Sequence, residues 1–216
     1  MTSETTYDFG DGYGAVPAHR HVNPDGTIGG WVADTAAVSP TATVGVDARV
    51  YDNAIVCGNA RVYENSCVST NAHVSDNAHV SGYAVVCGSA RVYENAHVSG
   101  DAVVCGDAIV YGSARVSGTA RVGGDTHVFD TAHVRGAATV RSNDDLLWGV
   151  VAGQPWTAWR ETDGQVVVAD GCQVHGIDKW DARLDEIAKY HNLTHLVPQA
   201  RATLAYVRAV MLGGGQ

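Results

Sequence analysis

Phenylalanine is scarce in this chain, with only two among 216 residues. With 25 glycines beside it, this fits a fold built from corners and small interior side chains. No stretch is apolar for the length a bilayer span requires, and the polar N-terminus has none of the pattern of a signal peptide. Five cysteines, an odd number without a CxxC pair, argue against a disulfide framework and point to reduced thiols. Together these absences lead us to expect a cytoplasmic protein. Positive charge is also in deficit. A net charge of −9 speaks against nucleic acid or an anionic membrane as the partner of the whole chain.

What is present is a register. From Val32 to Val140 a valine stands at every sixth position, 19 in all without a miss. Two residues before each valine stands a small residue, usually alanine, with Gly30, Ser66 and Thr126 as exceptions. The unit reads [Asn/Asp/Ser/Thr]-Ala-x-Val-x-[Gly/Asp/Glu], and a fixed short period of this kind marks a repeat architecture. In Ala-x-Val alternate residues face the same way, so alanine and valine point inward and x outward. The following Gly, Asn, Asp or Ser residues tolerate left-handed backbone and turn the chain. Each hexad is then a short strand plus a corner. Such strands bury their valines only by stacking on one another.

This pattern resembles the hexapeptide repeat of left-handed parallel β-helix proteins, in which three hexads make one triangular coil. The resemblance implies that residues 18 apart stack at about 4.8 Å, giving about six coils and a prism on the order of 30 Å long. The expected fold is mostly β: a left-handed parallel β-helix with a small α+β cap. Three segments follow: an N-terminal arm over residues 1–29, the prism over 30–147 with Leu146 in the next inward slot, and a C-terminal domain over 148–216. In the last, Trp156–Arg160 and Gln165–Ala169 read as strands around the turn Thr162-Asp163-Gly164. Asp178 can cap a helix running to about Tyr190, and Pro198 can open a second one with Leu204, Val207 and Met211 on one face. This segment would cover the last rung, whose open edge otherwise invites aggregation.

The 18-residue period sorts outward residues onto three faces. The first carries Ile55, His73, Arg91, Ile109 and His127 beside Cys57, Ser75, Tyr93, Tyr111 and Phe129. The second carries Arg61, His79, His97, Arg115 and His133 beside Tyr63, Ser81, Ser99, Ser117 and Arg135. The third carries Arg49, Cys67, Val85, Val103 and Arg121 beside Tyr51, Ser69, Cys87, Cys105 and Gly123. The candidate ligand site is the second-face column Arg61, His79, His97, Arg115 and His133, which could hold an anion through charge-assisted hydrogen bonds. The plainer reading is a solvated face with stacked histidines kept neutral by proximity. Candidate oligomer contacts are the ladder Tyr93, Tyr111 and Phe129, and the patch Val85, Cys87, Val103 and Cys105. For the patch the plainer reading is an exposed face of high β-propensity. In the arm, His19 and His21 form a His-x-His pair, but two ligands make no metal site. The simpler account is an arm packed over the first rung with Trp31 as its plug. No metal and no cofactor is expected.

The arm Val16-Pro-Ala-His-Arg-His21, leading through Gly29-Gly-Trp-Val32 into the repeats, resembles the start of a hexapeptide-repeat family frequent in bacteriophages and prophages. The tail, with Ala158-Trp-Arg160, Gly171-Cys172 and Ala205-Tyr-Val-Arg208, is similar to that family's C-terminal module. The loop Gln173–Ile177 is longer than the family pattern, which leaves the roles of Cys172 and His175 open. The family is labelled transferase-like on its repeats and brings no residue-level mechanism.

Three functional readings stand side by side. One is a non-catalytic trimeric scaffold or ligand-binding protein of phage type, sequestering a small anionic molecule between prisms, with a host protein as a further partner for the C-terminal domain. The second is a hexapeptide-repeat acyltransferase with a His base. Against it, such enzymes usually interrupt their hexads with a loop that closes the site, and none occurs here. The third is a zinc trimer of carbonic-anhydrase type, with His79 and His97 meeting a neighbour's His73 or His127.

Overall fold

The computed structural model describes residues 5–151, 154–161, 163–170, 173–190 and 194–213. Thr162 and Cys172, both named above, lie outside the described residues. The hexads fold as a β-solenoid of about six turns. Three longer strands come first: β1 (Thr6–Asp8), β2 (Ala15–Val22) and β3 (Ile28–Ala33). Eighteen two-residue strands follow, from β4 (Ala37–Val38) through β21 (Thr139–Val140). Every third strand pairs in parallel, so that His73 faces Arg91, His79 faces His97 and Val85 faces Val103. The sort by 18-residue columns therefore matches the three parallel sheets of the solenoid.

The inward slots are occupied as the period requires. From Val44 to Val140 every register valine has no accessible surface. Val38 and its partner Ala36 are only partly buried. β4 is an edge strand of its sheet; at β5 (Thr43–Val44), also an edge strand, Asn23 of the arm lies against Val44 and accepts its N–H at 2.9 Å. Ser66 and Thr126 fit alanine slots because each hydroxyl donates to a carbonyl three residues back, Tyr63 and Gly123, at 2.7 Å. The corners take left-handed backbone, at Asp52, Glu64, Asp76 and Glu94 as well as at glycines. Several of these acidic residues reach the next corner: Thr70 N–H donates to the Asp52 carboxylate at 3.0 Å, and Gly112 N–H to Glu94 at 2.9 Å.

Both ends of the solenoid are closed by side chains. Around each hexad, amides such as those of Ile55, Cys57 and Asn59 donate to carbonyls of the following coil. The first coil thus presents carbonyls without a preceding coil, and the arm supplies donors. His21 Nε2 meets the Ala42 carbonyl at 3.0 Å, and Arg20 donates to the Val46 carbonyl at 2.8 Å. At the other end acceptors are needed for amides. His127 N–H donates to Asn143 Oδ1, His133 N–H to Thr157 Oγ1 and Arg141 N–H to Asp145 Oδ2, at 2.8, 2.9 and 3.0 Å.

The arm is more ordered than a loose wrap. β1, β2 and β3 are antiparallel and extend the third sheet to nine strands. Trp31 is not a plug. It points outward from β3, stacked on Tyr7 at 4.6 Å with the Arg20 guanidinium 4.7 Å above its ring. His21 and Asn23, buried to 6% and 8% exposure, close the end instead.

After the last rung, β22 (Leu146–Val151), β23 (Gln154–Arg160), β24 (Val166–Asp170) and β25 (Gln173–Gly176) form an antiparallel sheet. Leu146, Trp159, Val167 and Ala169 from this sheet join the solenoid's own core. The other side of the sheet carries Trp156, Ala158, Val166 and Val168 against α1 (Ile177–Tyr190) and α2 (Val197–Met211). Two expectations are corrected here. Residues 173–176 are a strand and not a loop, and Ile177 already belongs to α1. Asp178 lies inside the first turn of α1 and pairs with Arg208 at 2.8 Å, instead of standing before the helix as its cap.

Candidate functional site

The second face is formed by the middle residues of successive hexads, so its columns are fixed by sheet register. Arg61, His79, His97, Arg115 and His133 are consecutive Cα partners in one sheet. The two arginines are exposed, and the three histidines are partly covered by neighbouring rungs. The imidazoles of His79 and His97 stack at 4.7 Å, and Tyr63 meets His79 edge-on at 6.1 Å. Burial holds His79 below the ordinary histidine range, and His97 and Arg61 add to this. His97 is lowered by burial and then by Arg115. His133 is lowered by burial, then by Arg115 and Arg135. Neutrality of the stacked histidines therefore comes from desolvation first and from proximity second. Among the described residues, none of the five is paired with a carboxylate.

The candidate contact residues fall on two other faces. On the first, Tyr93 stacks on Tyr111 at 5.2 Å and Tyr111 on Phe129 at 5.4 Å, with Trp148 closing the ladder edge-on at 4.9 Å. On the third, Val85, Cys87, Val103 and Cys105 are partly exposed in adjacent rungs. Burial, with neighbouring Cys105 and Cys67, raises the Cys87 thiol. Cys87 is a poor thiolate and serves here as a small apolar side chain. Cys67, in the column of Val85 and Val103, is buried to 8% exposure.

The remaining candidates separate. His19 Nδ1 lies 2.8 Å from Asp34 on the surface, whereas His21 is buried on the Ala42 carbonyl. A register shift after Arg20 lets the two histidines take different partners. His175 sits edge-on to Trp180 at 5.6 Å, and burial lowers its basicity. Among the described residues, no three His, Cys, Asp or Glu side chains of one chain converge on a point where a metal ion could sit. His73 Nε2 lies 3.3 Å from the Cys57 thiol on the first face.

Sequence reasoning singled out His21 only as half of a His-x-His pair in the arm, and found neither the end-closing residues Asn23 and Thr157 nor a pocket in the C-terminal region. That pocket is lined by Trp156, Val168, Asp170, Trp180, Leu184, Ala200, Thr203 and Leu204. No sequence period places these residues together, because they come from two strands and two helices.

An uninterrupted stack of two-residue strands with side-chain columns defines this chain as a β-solenoid repeat protein. The family model described as the YdcK beta solenoid repeat matches it at residues 48–64 and 104–118. Neither the search of curated proteins nor that of solved structures found a match. Among the described residues no helix is long and apolar enough to cross a membrane.

Proposed function

We propose that this chain is a non-catalytic scaffold of phage type that assembles as a homotrimer and holds a small anionic molecule against its second face, between prisms. The observation that carries the reading is the column of five nitrogen-bearing side chains in one register, without carboxylate partners among the described residues. Arg61 and Arg115 supply permanent charge. The histidines, held neutral by burial, gain protons when an anion offsets that cost. The partly exposed aromatic ladder and the valine–cysteine patch are the surfaces that copies of the chain would cover.

Absence of catalysis is supported by the regularity of the rungs. From β4 to β21 each hexad turns by the same short corner, which offers no loop to exclude water or to set an acyl donor beside a base.

Native mass spectrometry is expected to give a mass of three subunits, and a monomer at micromolar concentration overturns the assembly. Calorimetry with a nucleotide and with acetyl-coenzyme A, at about pH 6 and about pH 8, tests the column. Binding is expected to tighten at the lower pH and to disappear in the Arg61→Ala/Arg115→Ala double variant. Unchanged nucleotide binding in that variant removes this face as the site. Turnover of acetyl-coenzyme A with an amino sugar overturns the non-catalytic reading.

A further inference from the structure

The C-terminal sheet and helices line a small, half-open pocket of about 40 Å³ whose chemistry differs from that of the second face. Its walls are hydrocarbon and indole: Trp156 and Val168 from the sheet, Trp180 and Leu184 from α1, Ala200 and Leu204 from α2. Its polar groups are the Asp170 carboxylate and the Thr203 hydroxyl.

Both indoles are fixed. Trp180 Nε1–H donates to the Val168 carbonyl at 2.6 Å, which holds its ring against the sheet. Trp156 lies across Gly149 so closely that a Cβ there would come within 2.9 Å of its ring. Thr203 spends its hydroxyl proton on the Gln199 carbonyl at 3.1 Å, so toward the pocket its oxygen can only accept.

Asp170 is the unusual member. It ends β24, is half-buried, and has no hydrogen-bond or ion-pair partner for its carboxylate among the described residues. No cation lines the pocket among the described residues, and the arginines of α2 are engaged with acids of α1. Arg208 pairs with Asp178 and Asp181, and Arg201 with Asp185, at 2.8, 3.1 and 2.7 Å. Burial raises the Asp170 carboxyl above the ordinary carboxylate range, as expected of a desolvated acid without a cation. A half-buried carboxylate beside an acceptor oxygen and two indoles is complementary to one kind of group. That group carries positive charge, donates several hydrogen bonds and trails an apolar stem.

We propose that this pocket binds the ammonium end of a primary alkylamine, with Asp170 as counter-ion, Thr203 as second acceptor, and Trp156, Trp180 and Leu184 around the hydrocarbon stem. The shared chemistry fits both a lysine side chain and a free aliphatic amine. Nothing in this proposal depends on the second face, so the two can fail separately.

The probe is n-butylammonium chloride, with n-butanol as its uncharged counterpart, followed by the indole N–H resonances of the full-length chain. Trp156 and Trp180 are expected to shift on titration. Trp159, fully buried in the solenoid core, is expected to stay put. Asp170→Asn keeps the shape and removes the charge, and is expected to weaken butylammonium by about tenfold or more, the size of a lost charge-assisted bond. If the Asn variant loses the Trp159 resonance, Thr203→Lys replaces it. Its own ammonium would satisfy Asp170, and butylammonium binding should vanish. Equal affinity for n-butanol, absence of shifts at Trp156 and Trp180, or undiminished binding in the folded variants each overturns the proposal. Putrescine and N-acetyl-lysine methylamide then distinguish a free amine from a side chain. Tighter binding of either one supports the pocket and assigns its source.

Discussion

Val80 has no accessible surface, and the nearby Ser66 hydroxyl is already donated to the Tyr63 and Val80 carbonyls, at 2.7 and 3.2 Å. Val80→Asp places an unpaired carboxyl in the middle of the rung stack, and is expected to cost about 4 kcal/mol or more. The check is a denaturant melt with circular dichroism; a soluble variant with an unchanged spectrum contradicts the register. The histidines give a second expectation. His79, His97 and His133 are all lowered from the ordinary 6.5, so near and below that value the unfolded chain binds more protons than the folded one. Stability therefore stands at its plateau above about pH 6.5 and falls as pH drops through and below it. Melting temperature against pH is the measurement, and phosphate should reduce the fall if the column binds anions. Residues of this kind differ in how far the sequence reveals them. Val80 is legible because its burial follows from a period that 18 other valines share. His21 is not, because its burial depends on a carbonyl 21 residues away that only the folded first coil presents.

At the scale of the element, the corner is the unit on which the rungs depend. Gly100 has φ +69°, and a Cβ there would meet the Gly118 carbonyl oxygen at 2.9 Å. Gly136 has the same φ of +69° but open space around it. Gly136→Ala is expected to cost about 1 kcal/mol of backbone strain. Gly100→Ala should cost about 1–2 kcal/mol more, because the corner of the next coil has to give way. Equal melting shifts for the two variants would show that corner-to-corner packing contributes nothing. The rungs themselves could be read from sequence since every one repeats the same inward pair. The C-terminal elements could be read only in part. Trp156–Arg160 and Val166–Ala169 show themselves as apolar runs around a turn. Strand β25 has four residues, Gln173–Gly176, without an alternating pattern, and is a strand only because β24 lies beside it. The start of α1 lies ahead of the position that Asp178 suggests, for a related reason. Asp178 has the chemistry of a cap, but the helix gains an extra residue because Ile177 buries itself beneath the sheet.

The molecule as a whole has one main core, with a small cluster under the arm at one end and a larger one under the helices at the other. Trp159 has no exposure and joins the last coil's valines, while Trp156 on the same strand joins the helices. Strand β23 thus ties the two clusters together. Trp159→Ala is expected to cost about 3–5 kcal/mol. It should also split a single denaturant transition into two, because the solenoid and the C-terminal helices lose their shared member. One transition with unchanged midpoint would show that the clusters do not depend on each other. The closed ends belong to the same scale. Asn143, Asp145 and Thr157 take up amides that would otherwise template another chain.

A chain in which faces are set by an 18-residue register keeps its surface by counting in threes. Gain or loss of three hexads would lengthen or shorten the rod by one strand spacing, and every outward column would keep its neighbours. Loss of a single hexad would leave each alanine and valine pointing inward, so the core would not register the change. Everything downstream would nevertheless turn onto the adjacent face. With the hexad 82–87 lost, for example, His97 would stack next to His73 on the first face, and the ladder of Tyr93, Tyr111 and Phe129 would pass whole to the third. Solubility and fold would survive such a slip; whatever the faces recognise would not.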